Sequence, residues 1–202
     1  MRRLPELQGI LVPLLTPILE DDTLDLNGFR KLAERLLQSP YVDGLFAIGA
    51  SGEFMNFSFD ERRLLMETLS RVATGGKVLC VNIGGLPEPE TLELANLLRR
   101  HRFTAAAVTA PEPVADTPEE LVEAIAPVAA TGIPFSVYWT PMIPKSKPSF
   151  RSVEALMRFP NFVGLKDSSR DMVNFTAIAT AFGDEIRSEE HTSELQSRLQ
   201  LV

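Results

Sequence analysis

Six apolar runs, each followed by a polar segment with helical spacing, restrict this 202-residue chain to very few folds. The runs are GILVPLLTP (9–17), VDGLFAIG (42–49), KVLCVNIG (77–84), FTAAAVTA (103–110), IPFSVYW (133–139) and NFVGLKD (161–167). After the first, Phe29, Leu32, Ala33, Leu36 and Leu37 fall on one face of a helix. The second intervening segment opens Ser58-Phe59-Asp60-Glu61, a capping-box pattern that satisfies otherwise orphaned amides. Leu94, Leu97 and Leu98 carry the third. The fourth opens Thr117-Pro118-Glu119-Glu120, with an N-cap, proline at the first helical position and acids in the first turn. A fifth helix is predicted over roughly 149–158 and a sixth from near Asp171.

Consecutive strand–helix units of roughly 25–35 residues imply a parallel sheet with right-handed crossovers. Two α/β architectures meet that requirement: an open doubly wound sheet, or the first six units of a (β/α)8 TIM barrel. A dinucleotide fingerprint would favour the first. Gly49-Ala50-Ser51-Gly52 lacks the GxGxxG spacing, and a proline follows Gly84-Gly85 two residues later. In a barrel, functional groups gather at the C-terminal ends of strands. The unusual residues of this chain sit there.

Composition narrows the function classes. Hydrophobic content of 45% and charged content of 23% match a globular chain. A net charge of −7 argues against a general nucleic-acid or acidic-membrane surface. Cys80, the single cysteine, has no internal partner for a disulfide, which suits a reducing compartment. The N-terminus MRRLPELQG carries no long apolar segment of a signal peptide. No uninterrupted apolar stretch approaches the roughly 20 residues of a membrane span. The expectation is a cytoplasmic protein without membrane or nucleic-acid partners.

Three strand ends carry chemistry. The sixth run ends NFVGLKDSSRD (161–171), in which strict alternation puts Phe162, Gly164 and Lys166 on one face, with Val163 and Leu165 on the other. A cation on a buried face is costly unless paired, neutral or used. Lys166 is therefore either a strand-end charge reaching water or a working amine. The fifth run ends Ser136-Val137-Tyr138-Trp139-Thr140-Pro141, placing Ser136 and Tyr138 on a shared face. Tyr138 is either a core aromatic or a phenol at the barrel mouth. After the second run, Gly49-Ala50-Ser51-Gly52-Glu53 forms a small turn whose amides and Ser51 hydroxyl suit an anionic group, although such a turn is often only a turn. It is not a nucleophile elbow, because the second glycine directly follows the serine. Together the three ends make coherent chemistry. A partly desolvated amine has its pKa lowered, which frees the lone pair for attack on a ketone, and a neighbouring phenol relays protons. A carboxylate beside that ketone fits the turn. The ligand class is a 2-keto acid.

With those residues in register, the chain resembles the dihydrodipicolinate synthase / N-acetylneuraminate lyase superfamily of Schiff-base (β/α)8 barrels, over roughly 9–186. Gly49-Ala50-Ser51-Gly52-Glu53 is similar to the family's carboxylate-binding turn, with Ser51 at its second hydroxyl position. Tyr138-Trp139-Thr140-Pro141 is similar to its Tyr-x-x-Pro element, and Gly164-Leu165-Lys166-Asp167-Ser168-Ser169 to its imine-forming element. The 28-residue separation of Tyr138 and Lys166 fits, as does Leu15-Thr16-Pro17 followed by Glu20-Asp21-Asp22. The resemblance implies a class I aldolase-type lyase or synthase acting on pyruvate or a related 2-keto acid. It implies Lys166 and Tyr138 as catalytic residues, Ser51, Ala50 and Gly52 as substrate-binding residues, no cofactor or metal, and a homo-oligomer, dimer or tetramer. The rival readings are a non-catalytic α/β small-anion-binding protein and a phosphate-binding barrel.

Departures from the family pattern bear on substrate. Ala50 stands where synthases commonly carry threonine. The region after the fourth run, Thr109-Ala110-Pro111-Glu112-Pro113, lacks the second tyrosine those enzymes use, and Tyr41 precedes the second run. Met142-Ile143-Pro144-Lys145-Ser146-Lys147 lacks the arginine that binds their second substrate. True dihydrodipicolinate synthase activity is therefore disfavoured. Trp139 is expected to face the helical layer rather than to shape the pocket. Barrels of this class need about 250 residues, so residues 1–186 are expected to be a partial TIM barrel. Residues 187–202 show no strand pattern and read like an in-frame translation of a sequencing adapter, a non-native tail. On that expectation the first and sixth strands keep open edges and this shortened chain is inactive. His101 and His191 support no metal site.

Overall fold

The apolar runs assemble into one parallel sheet, and the segments between them into helices along it. The computed structural model describes residues 7, 9–101, 103–109, 117–140, 149–182 and 187–190, the last four as backbone. The elements alternate: β1 (Leu11–Pro13), α1 (Leu26–Leu37), β2 (Gly44–Ala47), α2 (Phe59–Ser70), β3 (Val78–Asn82), α3 (Glu88–Arg100), β4 (Ala105–Thr109), α4 (Pro118–Ala130), β5 (Phe135–Trp139), α5 (Phe150–Leu156), β6 (Phe162–Asp167), α6 (Met172–Phe182) and β7 (Arg187–Glu190). The strands lie in chain order and every neighbouring pair is parallel. This is an α/β TIM-barrel fragment: of the two architectures the alternation allows, consecutive strand order selects the barrel over the doubly wound sheet. Among the described residues no helix is long and apolar enough to cross a membrane.

Strand parity divides the core in two. Leu45, Ala47, Leu79, Val81, Ala106, Val108, Phe135, Val137 and Trp139 pack outward against the helices. Phe46, Val78, Cys80, Ala105, Ala107, Tyr138 and Val163 form a separate inner cluster. Trp139 thus belongs to the helical layer, as expected from the sequence. Burial on both faces explains why the central strands read as continuous apolar runs rather than as alternating ones.

β6 breaks the strict alternation. Phe135 pairs with Phe162 but Ser136 pairs with Gly164, so one extra residue is taken up on β6. Phe162 consequently packs outward with Leu165, while Val163 joins the inner cluster. The sequence expectation of a common face for Phe162, Gly164 and Lys166 fails at Phe162 for this reason. Beyond the bulge, Tyr138 and Lys166 are register partners.

β7 is a second difference. Arg187–Glu190 pairs in parallel with β6 through Gly164–Asp167, although its sequence carries no strand pattern. Ladder hydrogen bonds belong to the backbone, so a polar segment can extend an open edge without apolar alternation. The β6 edge expected to be open is therefore occupied over four residue pairs.

Helix starts follow the capping signals. The Ser58 amide donates to Glu61 Oε2 at 2.8 Å, and the Glu61 amide donates to Ser58 Oγ at 3.4 Å. The Ser58 hydroxyl and amide hold the Glu61 carboxyl below its ordinary pKa. Thr117 and Glu120 repeat the box on α4, at 3.1 and 3.2 Å. Ser58→Ala is expected to lower stability by about 1 kcal/mol, read as a shift in the urea midpoint at constant m-value.

Candidate active site

Lys166 ends up inside the barrel wall, 6% exposed, at the C-terminal end of β6. Its Nζ lies 4.6 Å from the Phe46 ring centroid and 5.1 Å from that of Tyr138. The two rings meet edge to face at 5.7 Å. An ammonium stripped of water regains part of its solvation from such aromatic faces. Tyr138 is 2% exposed, and its cross-strand pairing with Lys166 fixes phenol and amine side by side. Two of the three strand ends singled out in the sequence therefore meet directly.

Phe46 links them to the third. It lies on β2, three residues before Gly49, and its ring fills the space a Gly49 side chain would take: a Cβ there would lie 2.3 Å from the ring. One aromatic thus touches the turn, the phenol and the amine. Sequence reasoning missed it, though strand parity alone places Phe46 inward beside Cys80, its register partner on β3.

The turn is organised from within. The Gly52 amide donates to Gly49 O at 3.1 Å, the Glu53 amide to Ala50 O at 2.9 Å, and the Phe54 amide to Gly49 O at 3.3 Å. Among the described residues the Gly49, Ala50 and Ser51 amides and the Ser51 hydroxyl donate to nothing, and Ser51 is exposed. The donors the turn leaves available are therefore three amides and one hydroxyl. Thr16 Oγ1, from the Leu15-Thr16-Pro17 segment, donates to Gly52 O at 2.9 Å. A Gly52 Cβ would lie 2.8 Å from Leu14 O, a backbone atom that cannot swing aside. Gly52→Ala is expected to destabilise the protein by about 1–3 kcal/mol and to weaken anion binding, measured by thermal melts with and without pyruvate.

Two further polar groups line the strand ends. Asn82 Oδ1 accepts from Thr109 Oγ1 at 2.7 Å and from the Gly84 amide at 3.2 Å, and among the described residues its buried Nδ2 has no acceptor. Asp167 Oδ1 accepts from the Ser169 amide at 2.7 Å, while Oδ2 is buried without a donor. No group of three or more His, Cys, Asp or Glu side chains suited to a metal ion occurs among the described residues. His101 caps the end of α3. Pro141, the segments 110–113 and 142–147, and His191 lie outside the described residues.

Known proteins share this arrangement of elements. N-acetylneuraminate lyase of Salmonella typhimurium is 28% identical over 180 residues, 88% of this chain and 60% of the lyase. A solved dihydrodipicolinate synthase from Bacteroides thetaiotaomicron superposes with a TM-score of 0.82 at 29% identity, covering 92% of this chain and 62% of that one. A prophage protein of the dihydrodipicolinic acid synthase family from E. coli, solved in complex with pyruvate, has the same fold, with a TM-score of 0.79 at 22% identity over 92% of this chain and 63% of its own. The chain spans about 60% of the length of the curated lyases it matches. Residues 6–187 match the Dihydrodipicolinate synthetase family, and the chain belongs to that family.

Proposed function

We propose that the protein is an aldolase-type lyase or synthase in which Lys166 forms a Schiff base with pyruvate or a related 2-keto acid. The observation that carries this reading is the buried Lys166 amine set against Phe46 and beside Tyr138, at the C-terminal end of a barrel strand. Its membership of a family containing lyases, and the pyruvate bound by one structural neighbour, support it.

The chemistry follows from the side chains. Neutral Lys166 Nζ adds to the C2 carbonyl of the keto acid, giving a carbinolamine. Tyr138 supplies a proton to the departing hydroxyl, and water leaves to form the iminium. That cation draws the C3–C4 electron pair while the Tyr138 phenolate takes the proton of a C4 hydroxyl, so the bond cleaves to an aldehyde and an enamine, or forms in reverse. Removal of a C3 proton by the same phenolate gives instead an enamine that expels the C4 hydroxyl, which leaves as water with the proton returned by Tyr138. The substrate carboxylate sits on the Ala50 and Ser51 amides and the Ser51 hydroxyl, with Gly52 letting the turn lie close against Leu14 O. Neither a metal nor an organic cofactor enters any step. Ala50 in place of a threonine, and the absence of an arginine from 142–147, favour a 2-keto acid lyase or dehydratase over dihydrodipicolinate synthase proper.

We also propose that residues 1–186 form the first six units of a longer cytoplasmic, oligomeric enzyme, and that the 202-residue chain alone is inactive. The chain's span of about 60% of the lyases it matches supports reading it as part of a longer barrel. The test uses the full-length protein, its coding sequence read from genomic DNA past codon 186. Borohydride reduction in the presence of pyruvate is expected to add the mass of one reduced pyruvate to Lys166. No adduct with pyruvate or larger 2-keto acids would leave the non-catalytic anion-binding reading in its place.

A further inference from the structure

Arg62 on α2 is a buried cation whose role the Schiff-base chemistry leaves unassigned. It is 2% exposed, among the largest enclosed side chains of the protein, and joins no ion pair among the described residues. Burial pushes its pKa down to about 10, with Glu90 acting weakly in the opposite direction. It therefore stays charged at neutral pH. A charge kept from water needs hydrogen bonds, and among the described residues Arg62 finds them on the backbone carbonyls of two loops. Nη2 donates to Phe54 O at 2.6 Å, Nε to Phe57 O at 3.1 Å and Nη1 to Gly84 O at 2.7 Å. Its guanidinium also lies 5.4 Å from the Phe54 ring centroid.

The first two carbonyls belong to the loop that contains the Gly49–Glu53 turn; the third lies just beyond β3. That turn is bracketed by two left-handed residues, Ile48 and Glu53, each with φ of 56°. For a β-branched residue such as Ile48 this conformation is costly, and it persists only where neighbouring structure holds it. Thr16 grips the turn at Gly52 O. On its downstream side Phe54 is buried in the core, and its carbonyl is held by Arg62.

We propose that Arg62 is the positioning residue of the carboxylate-binding turn. Its three-way fork ties the loop after β2 to the loop after β3, and so keeps the Ala50 and Ser51 donors aimed at the substrate carboxylate. This inference rests on the proposed reading of that turn. The planar fork reaches three diverging carbonyls, which a single lysine ammonium does not reproduce. No carboxylate pairs with it among the described residues, so its charge also lies behind an anion-binding turn with the favourable sign.

The test compares wild type, Arg62→Lys and Arg62→Met in the full-length protein, by borohydride labelling of Lys166 across a pyruvate titration. Both variants are expected to raise the half-saturating pyruvate concentration, by about ten- to a hundredfold, while labelling at saturation stays complete. In a cycle with Ser51→Ala, the Arg62 and Ser51 effects are expected to combine to less than their product, since both act through one turn. Hydrogen exchange supplies a readout independent of chemistry: amides of residues 49–57 exchange at least tenfold faster in Arg62→Lys, with α5 unchanged. Unaltered half-saturation, fully multiplicative effects with Ser51→Ala, or unaltered exchange over 49–57 each overturns the proposal. If Arg62→Met does not fold, Arg62→Lys decides. Absence of labelling in the wild type counts against the Schiff-base reading, and exchange then decides the Arg62 clamp separately.

Discussion

Lys166→Met in the full-length protein is expected to abolish pyruvate-dependent borohydride labelling and all turnover in a chain that still folds. The amine is the only part of the side chain the proposed chemistry uses, and methionine retains an unbranched stem to lie against Phe46 and Tyr138. The variant is expected to keep a native circular dichroism spectrum and a cooperative melt while activity disappears, which separates loss of the amine from loss of the fold. Labelling that persists at full extent in Lys166→Met would show that another amine forms the adduct and would sink the assignment.

Tyr138→Phe should have the next largest effect, and a different signature. Phenylalanine preserves the edge-to-face contact with Phe46 and the aromatic face beneath Lys166 Nζ, while removing the hydroxyl. Turnover is expected to fall by about 10²–10⁴, the usual contribution of a positioned proton donor. Labelling of Lys166 should reach the wild-type extent but more slowly, because the amine still adds to the ketone unaided. Single-turnover labelling with time measures both quantities. A variant that turns over within threefold of wild type would remove Tyr138 from the mechanism, and loss of labelling with loss of fold would reduce it to a packing residue.

Local signals made much of this legible in the sequence. Val78–Asn82, Ala105–Thr109 and Phe162–Asp167 were visible as apolar runs because a parallel strand buried on both faces has no polar side to disguise it. Ser58–Glu61 and Thr117–Glu120 marked helix starts because capping is local chemistry over four residues. Lys166 and Tyr138 stood out because a polar group at the end of an apolar run is conspicuous. The missed features depend on distant partners. Phe46 looks like any strand aromatic until β5 and β6 bring Tyr138 and Lys166 onto it. Arg62 reads as an exposed helical charge until the carbonyls of Phe54, Phe57 and Gly84 close around it. β1 was read as nine residues but ladders over three, Leu11–Pro13, where its partner β2 is itself only four residues long. β7 has no sequence signal because ladder hydrogen bonds are made by backbone groups that every residue carries.

The extra residue at Val163 has a consequence for how this barrel tolerates change. It acts as a phase adjuster between two halves of one strand, letting Phe162 serve the helical layer while Lys166 serves the interior. In an unbroken strand, a single insertion or deletion near residue 161 would turn the amine out of the barrel. With a bulge already present, such a length change has somewhere to be absorbed before it reaches the chemistry. The outer packing and the Lys166 amine are thereby partly uncoupled, and the segment before Val163 is the place where a change of length is expected to leave Lys166 facing the interior.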